Sequence, residues 1–142
     1  MREAKTNPPQ DRQSAIRIAA AIGIALAAPL PAGGQSAEQV IAIELDSFEF
    51  TPSTVTMEHG QAYVLRLTNV SDGDHDFAAP RFFDAARIAP QDSSAVAEGR
   101  VEVPGRETVS IRLTAPARGT YRIRCTHFMH STFGMKGRIV VT

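Results

Sequence analysis

Tyr121-Arg122-Ile123-Arg124-Cys125-Thr126-His127-Phe128-Met129-His130-Ser131-Thr132-Phe133-Gly134-Met135-Lys136-Gly137-Arg138-Ile139-Val140-Val141 holds two strand patterns separated by a loop. Tyr121, Ile123 and Cys125 are apolar while Arg122 and Arg124 point the other way, the period of a half-buried β-strand. A closing strand runs from Gly137 to Thr142. The same alternation appears upstream, from Glu38 onward in Ile41, Ile43 and Leu45 against Glu44 and Asp46. It recurs in Tyr63, Leu65 and Leu67 against Arg66 and Thr68, and in Val109, Ile111 and Leu113 against Ser110 and Arg112. Turn-forming groups such as Glu58-His59-Gly60, Ser71-Asp72-Gly73-Asp74, Pro104-Gly105-Arg106 and Arg118-Gly119 separate these runs. Short strands at this spacing predict an all-β, Greek-key β-sandwich of antiparallel strands. Ala78 to Gly99, rich in Ala, Ser, Asp and Pro, breaks the rhythm and reads as an excursion between strands. A short helix over Arg81 to Ile88 would bury Phe82, Phe83 and Ile88 there.

The chain has 142 residues with 15 basic and 15 acidic side chains, so charge points neither to nucleic acid nor to a polybasic membrane surface. Apolar residues, 43% of the total, suffice for one compact core. A single cysteine allows no internal disulfide. At the N-terminus, Arg12 and Arg17 precede an apolar run from Ile16 to Leu30, followed by Ala32, Gly33 and Gly34. That order predicts a secretory signal over residues 1–34, cleaved between Ala32 and Ala37. The run is shorter than the roughly 20 residues of a spanning helix and is broken by Pro29 and Pro31, which argues against a retained anchor. With no adjacent arginine pair the signal is of the Sec type, and export to the periplasm leaves a mildly acidic, monomeric domain over residues 35–142 with no membrane insertion.

A lone thiol in an exported protein oxidises unless it is buried or metal-bound. Cys125 has His130 and Met135 downstream at spacings of five, with Gly134 and Gly137 allowing the loop to fold back. A thiolate, an imidazole and a thioether on one loop suit copper, which needs donors acceptable to both Cu(I) and Cu(II). A second imidazole has to come from elsewhere, and His75, just after a strand and a turn, is the candidate. His75, Cys125, His130 and Met135 are therefore the predicted metal ligands, for one copper ion. His127 competes with His130, since Cys-x-His places both side chains on one strand face; His130 is preferred because it leaves the loop room to wrap an ion. Met129 and Met57 read as apolar packing, His59 as an exposed turn residue, and Asp74 and Asp76 as turn carboxylates. No Ser-His-Asp order, phosphate loop or structural zinc pattern is present, so no catalytic residues are predicted.

From Ile41 to Thr142 the chain resembles the cupredoxin family, in particular its plastocyanin-like and pseudoazurin-like periplasmic members. Asn69 to Phe77 and Tyr121 to Val141 carry the resemblance: a histidine after an early strand, then Cys-x4-His-x4-Met followed by Lys-Gly and an apolar strand. Asp76 stands where an asparagine commonly follows the first histidine. The resemblance implies that His75, Cys125 and His130 are strong ligands and Met135 a weak axial one. It also implies a non-enzymatic carrier of single electrons between transient redox protein partners. A copper carrier or store, and an accessory copper subunit of a respiratory oxidase or reductase, are the alternatives. Phe128, Phe133 and Phe82 are candidates for an apolar docking rim around His130, with burial the competing expectation.

Overall fold

The structure, a computed structural model, describes residues 38–130 and 132–142. The expected signal, residues 1–34, lies outside the described residues. Among those described, no helix is long and apolar enough to cross a membrane.

Ten strands form two five-stranded sheets. In chain order they are β1 (Gln39–Asp46), β2 (Glu49–Thr51), β3 (Thr54–Met57), β4 (Ala62–Asn69), β5 (His75–Ala78), β6 (Arg87–Ile88), β7 (Arg100–Val103), β8 (Thr108–Thr114), β9 (Gly119–Arg124) and β10 (Lys136–Val141). One sheet has the order β2-β1-β4-β8-β6, the other β3-β10-β9-β5-β7. Inward side chains of both, among them Ile43, Leu45, Leu65, Leu67, Ile111, Phe77, Ile123 and Ile139, form a single buried cluster. Each such side chain contributes roughly 1.5–3 kcal/mol on burial, which makes this cluster the main source of stability. The protein is a β-sandwich, as the strand pattern predicts.

Two pairings depart from the antiparallel expectation. β1 runs parallel to β4, and β3 parallel to β10. The cause is a change of sheet at Pro52-Ser53. β2 pairs with β1 in the first sheet, the chain crosses, and β3 joins the second sheet beside β10 before β4 returns beside β1. Parallel neighbours need a crossover connection of a dozen or more residues, and residues 47–61, which include β2 and β3, supply it between β1 and β4.

The excursion contains a helix α1 (Pro80–Ala85), a 3-10 turn at Pro90–Ala95 and the two-residue strand β6. The helix stops three residues before the expected end, with Ala86 already extended. Ile88 consequently pairs with β8 rather than lying on the helix, while Phe82 and Phe83 are buried as expected.

Candidate metal centre

Three segments meet at one end of the sandwich: the β4–β5 turn, the β9–β10 loop and the β1–β2 turn. Asn69, buried at the end of β4, organises the first. Its side-chain nitrogen donates to the carbonyls of Gly73 and Val103, and its oxygen accepts from the Ser71 backbone N–H and hydroxyl. These bonds pin the turn that delivers His75 as the first residue of β5, 3% exposed. Ser71 Oγ lies 2.9 Å from His75 Nε2, 2.8 Å from Asn69 Oδ1 and 3.1 Å from the Gly73 carbonyl. The last two are pure acceptors, so the hydroxyl proton goes to one of them, and Ser71 accepts from His75 Nε2–H. That tautomer leaves a lone pair on Nδ1 for a metal.

The second segment begins where β9 ends, at Arg124. Cys125, fully buried, donates its backbone N–H to Met135 O at 3.1 Å, closing the loop at its base. Within it, His130 N–H donates to His127 O, Phe133 N–H to Met129 O, and Met135 N–H to His130 O. Met129, at φ 65°, takes the left-handed conformation that turns the chain back. The loop therefore carries His130 over Cys125. Cys125 Sγ lies 3.4 Å from His130 Nδ1 and 3.9 Å from His75 Nδ1, and the two Nδ1 atoms are 3.0 Å apart. Donors about 2.0–2.3 Å from one ion in a trigonal plane stand roughly 3.5–4 Å apart, so this triangle fits a small ion with modest adjustment. One thiolate and two imidazoles suit copper. Met135 is also fully buried, its backbone bonded to Cys125 and His130.

Burial pushes the His75 imidazole below its ordinary value, and the neighbouring His130 and His127 act in the same direction. Burial likewise pushes the Cys125 thiol up. Without a metal the site therefore favours its uncharged form, and an ion entering it displaces the thiol proton.

His127 does not join the cluster. β9 ends at Arg124, so the strand alternation that would align residues 125 and 127 stops, and His127 Nε2 reaches Glu102 on β7 at 3.0 Å. Its ring stacks on His130 at a centroid distance of 5.8 Å and an interplanar angle of 25°. Asp76 is no solvated turn residue either. It is 0% exposed and accepts hydrogen bonds from the Thr126 backbone N–H and hydroxyl, tying β5 to the residue after Cys125. Asp74 accepts from Gly105 N–H in the turn leading out of β7. Met57 is buried and His59 exposed, as read from the sequence, but Met129 is 41% exposed rather than packed.

The third segment was not visible in the sequence. Phe48, at φ 70° in the β1–β2 turn, sets its ring edge-on to His130, with centroids 5.3 Å apart, and against Phe133 at 5.4 Å. Phe48, Phe133 and the loop residues Phe128 and Met129 are all exposed. Phe82 takes no part in this rim, being buried against Phe83 and Tyr121.

The sequence matches the Cupredoxin-like domain family over residues 16–141. The chain belongs to the cupredoxin-like family. Solved structures share the fold of this cupredoxin. Reduced auracyanin from Roseiflexus castenholzii is 20% identical, covering 74% of this chain and 98% of its own, with a TM-score of 0.54. Auracyanin A from Chloroflexus aurantiacus, described as a "blue" copper protein, is 22% identical, covering 72% and 99%, with a TM-score of 0.51. A multicopper oxidase from Campylobacter jejuni is 13% identical with a TM-score of 0.54, and this cupredoxin spans only 30% of it. Among curated proteins, none matches the sequence.

Proposed function

We propose that this cupredoxin holds one copper ion through His75, Cys125, His130 and Met135 and carries single electrons between redox proteins after export to the periplasm. The observation that carries this reading is the triangle of Cys125 Sγ, His75 Nδ1 and His130 Nδ1, with sides of 3.0–3.9 Å. A bound copper ion supplies a one-electron Cu(I)/Cu(II) couple. The chain's own residues do the rest. Ser71 holds the His75 tautomer, and Asp76 locks the start of the ligand loop through Thr126. Cys125, Met135 and His75 are shut away from water, which would keep solvent from a bound ion on that side. His130 is the half-exposed member, with Phe48 edge-on to it and the exposed Phe128, Met129 and Phe133 on the same loop, and its edge is where a partner approaches. The periplasmic location rests on the signal pattern of residues 1–34.

Copper-loaded protein is expected to show an intense thiolate-to-copper absorption band that Cys125→Ser abolishes. His130→Gly should lose the band and regain it with added imidazole, while His127→Gly keeps it. A full-strength band in Cys125→Ser would overturn the ligand set. Loss of most copper to a mild Cu(I) chelator after one reduction would favour a copper-delivery role over electron transfer.

A further inference from the structure

The outer face of the second sheet carries a concentration of charge that the copper site does not explain. Arg122 and Arg124 on β9 stand directly across from Arg138 and Lys136 on β10, and all four are exposed. Like charges opposed across a strand pair are destabilising, so the fold carries this arrangement at a cost. Nothing among the described residues offsets it. Arg100, Arg106 and Arg112 each have a carboxylate within 4.0 Å, whereas Arg122, Arg124, Lys136, Arg138 and the neighbouring Arg81 have none. The chain as a whole is neutral, so this is segregation of charge and not a general excess.

The face is also concave. One groove of about 830 Å³ runs over Arg122, Arg124, Lys136 and Arg138, bounded by Ser53 and Thr54. A second, of about 700 Å³, lies between Arg122, Arg124 and the start of α1 at Pro80-Arg81. They share Thr120, Arg122 and Arg124 and so lie side by side on this face. Each is within the range of about 300–1,000 Å³ that holds a drug-sized ligand, which is far more than a single inorganic anion fills. A planar array of lipid headgroups would rest on the flanks, whereas a protruding acidic segment reaches the floor, where arginines can grip carboxylates with two hydrogen bonds each.

We propose that this groove docks an acidic segment of a partner protein, a strand or loop rich in aspartate and glutamate. Arg124 precedes Cys125 and Lys136 follows Met135, so the docked segment lies one residue from two of the candidate ligands. The surface is separate from the apolar rim at His130 and goes beyond the electron-transfer reading, because its recognition depends on charge and not on copper.

The test is to titrate the copper-loaded full chain with a fluorescent peptide of alternating glutamate and aspartate at low ionic strength. Binding is expected, weakening as salt approaches about 0.15 M, where screening acts over about 8 Å. The double variant Arg122→Ser/Arg138→Ser should weaken it by about ten-fold or more, with the copper spectrum unchanged. Arg122→Lys/Arg138→Lys should retain most of the affinity, and Arg87→Ser all of it. The lysine pair and the salt dependence decide the matter even where the serine variant folds poorly. Peptide affinity equal in wild type and the serine variant, or insensitive to salt, overturns the proposal. So does failure to bind the peptide, with or without capture by phosphatidylglycerol vesicles.

Discussion

Ser71 shows how one hydroxyl can set the chemistry of a buried imidazole several residues away. Because its proton is taken by Asn69 or Gly73, it can only accept from His75, and the ring is held with Nδ1 free. Ser71→Ala is therefore expected to lower copper affinity by about ten- to a hundred-fold, the usual effect of removing a group that orients a ligand. Competition with a chelator of known strength measures this. Ser71→Thr, which keeps the hydroxyl, should restore most of the loss, and an unchanged affinity in Ser71→Ala would remove Ser71 from the site. Neither Ser71 nor Phe48 could be assigned from sequence. A serine in a turn reads as a solvated residue, and Phe48 meets His130 only because β1 and the ligand loop end at the same edge of the sandwich. Cys125 and His130, which the structure brings together, were legible because their spacing lies within one loop.

At the level of elements, the turn holding His75 is braced by its neighbour. A Cβ on Gly105 would lie 2.2 Å from the carbonyl oxygen of Asp72, a backbone atom that cannot swing aside. Gly105→Ala is expected to cost about 1–3 kcal/mol as overpacking and to displace the turn that positions Ser71 and His75. Urea denaturation of the apo-protein reads the first effect and the copper absorption band the second. Stability within error of the wild type would show that the turn is slack. The strands with clean alternation, β1, β4, β8, β9 and β10, were visible in the sequence. β5 was not, because all four of its residues are buried and no period of two remains to be seen. The parallel pairings were equally hidden, since alternation tells which face a residue occupies and says nothing about the direction of its neighbour.

For the molecule as a whole, the two shifted side chains at the candidate site bound the stability of the metal-free protein from both sides. His75 is held below its ordinary 6.5, so the unfolded chain takes up this proton first and stability falls as pH drops from about 6.5 through the lowered value. Cys125 is held above its ordinary 9.0, so the unfolded chain ionises first and stability falls as pH rises past 9.0. Thermal unfolding of the apo-protein across pH should show a plateau between these limits, with His75→Asn flattening the acid side and Cys125→Ala the alkaline side. An acid limb that persists unchanged in His75→Asn would assign it to other groups. A different consequence follows from the place of β10. It lies between β3 and β9, inside its sheet and not at an edge, yet residues 136–141 are synthesised after every strand they join. Until residues 136–141 are in place β3 lacks its neighbour, and the base of the loop, the Cys125–Met135 hydrogen bond, closes only with β10. Metal capture is in this way deferred until β10 has docked, and a chain truncated after Met135 would have all four candidate donors and no completed nest to hold them.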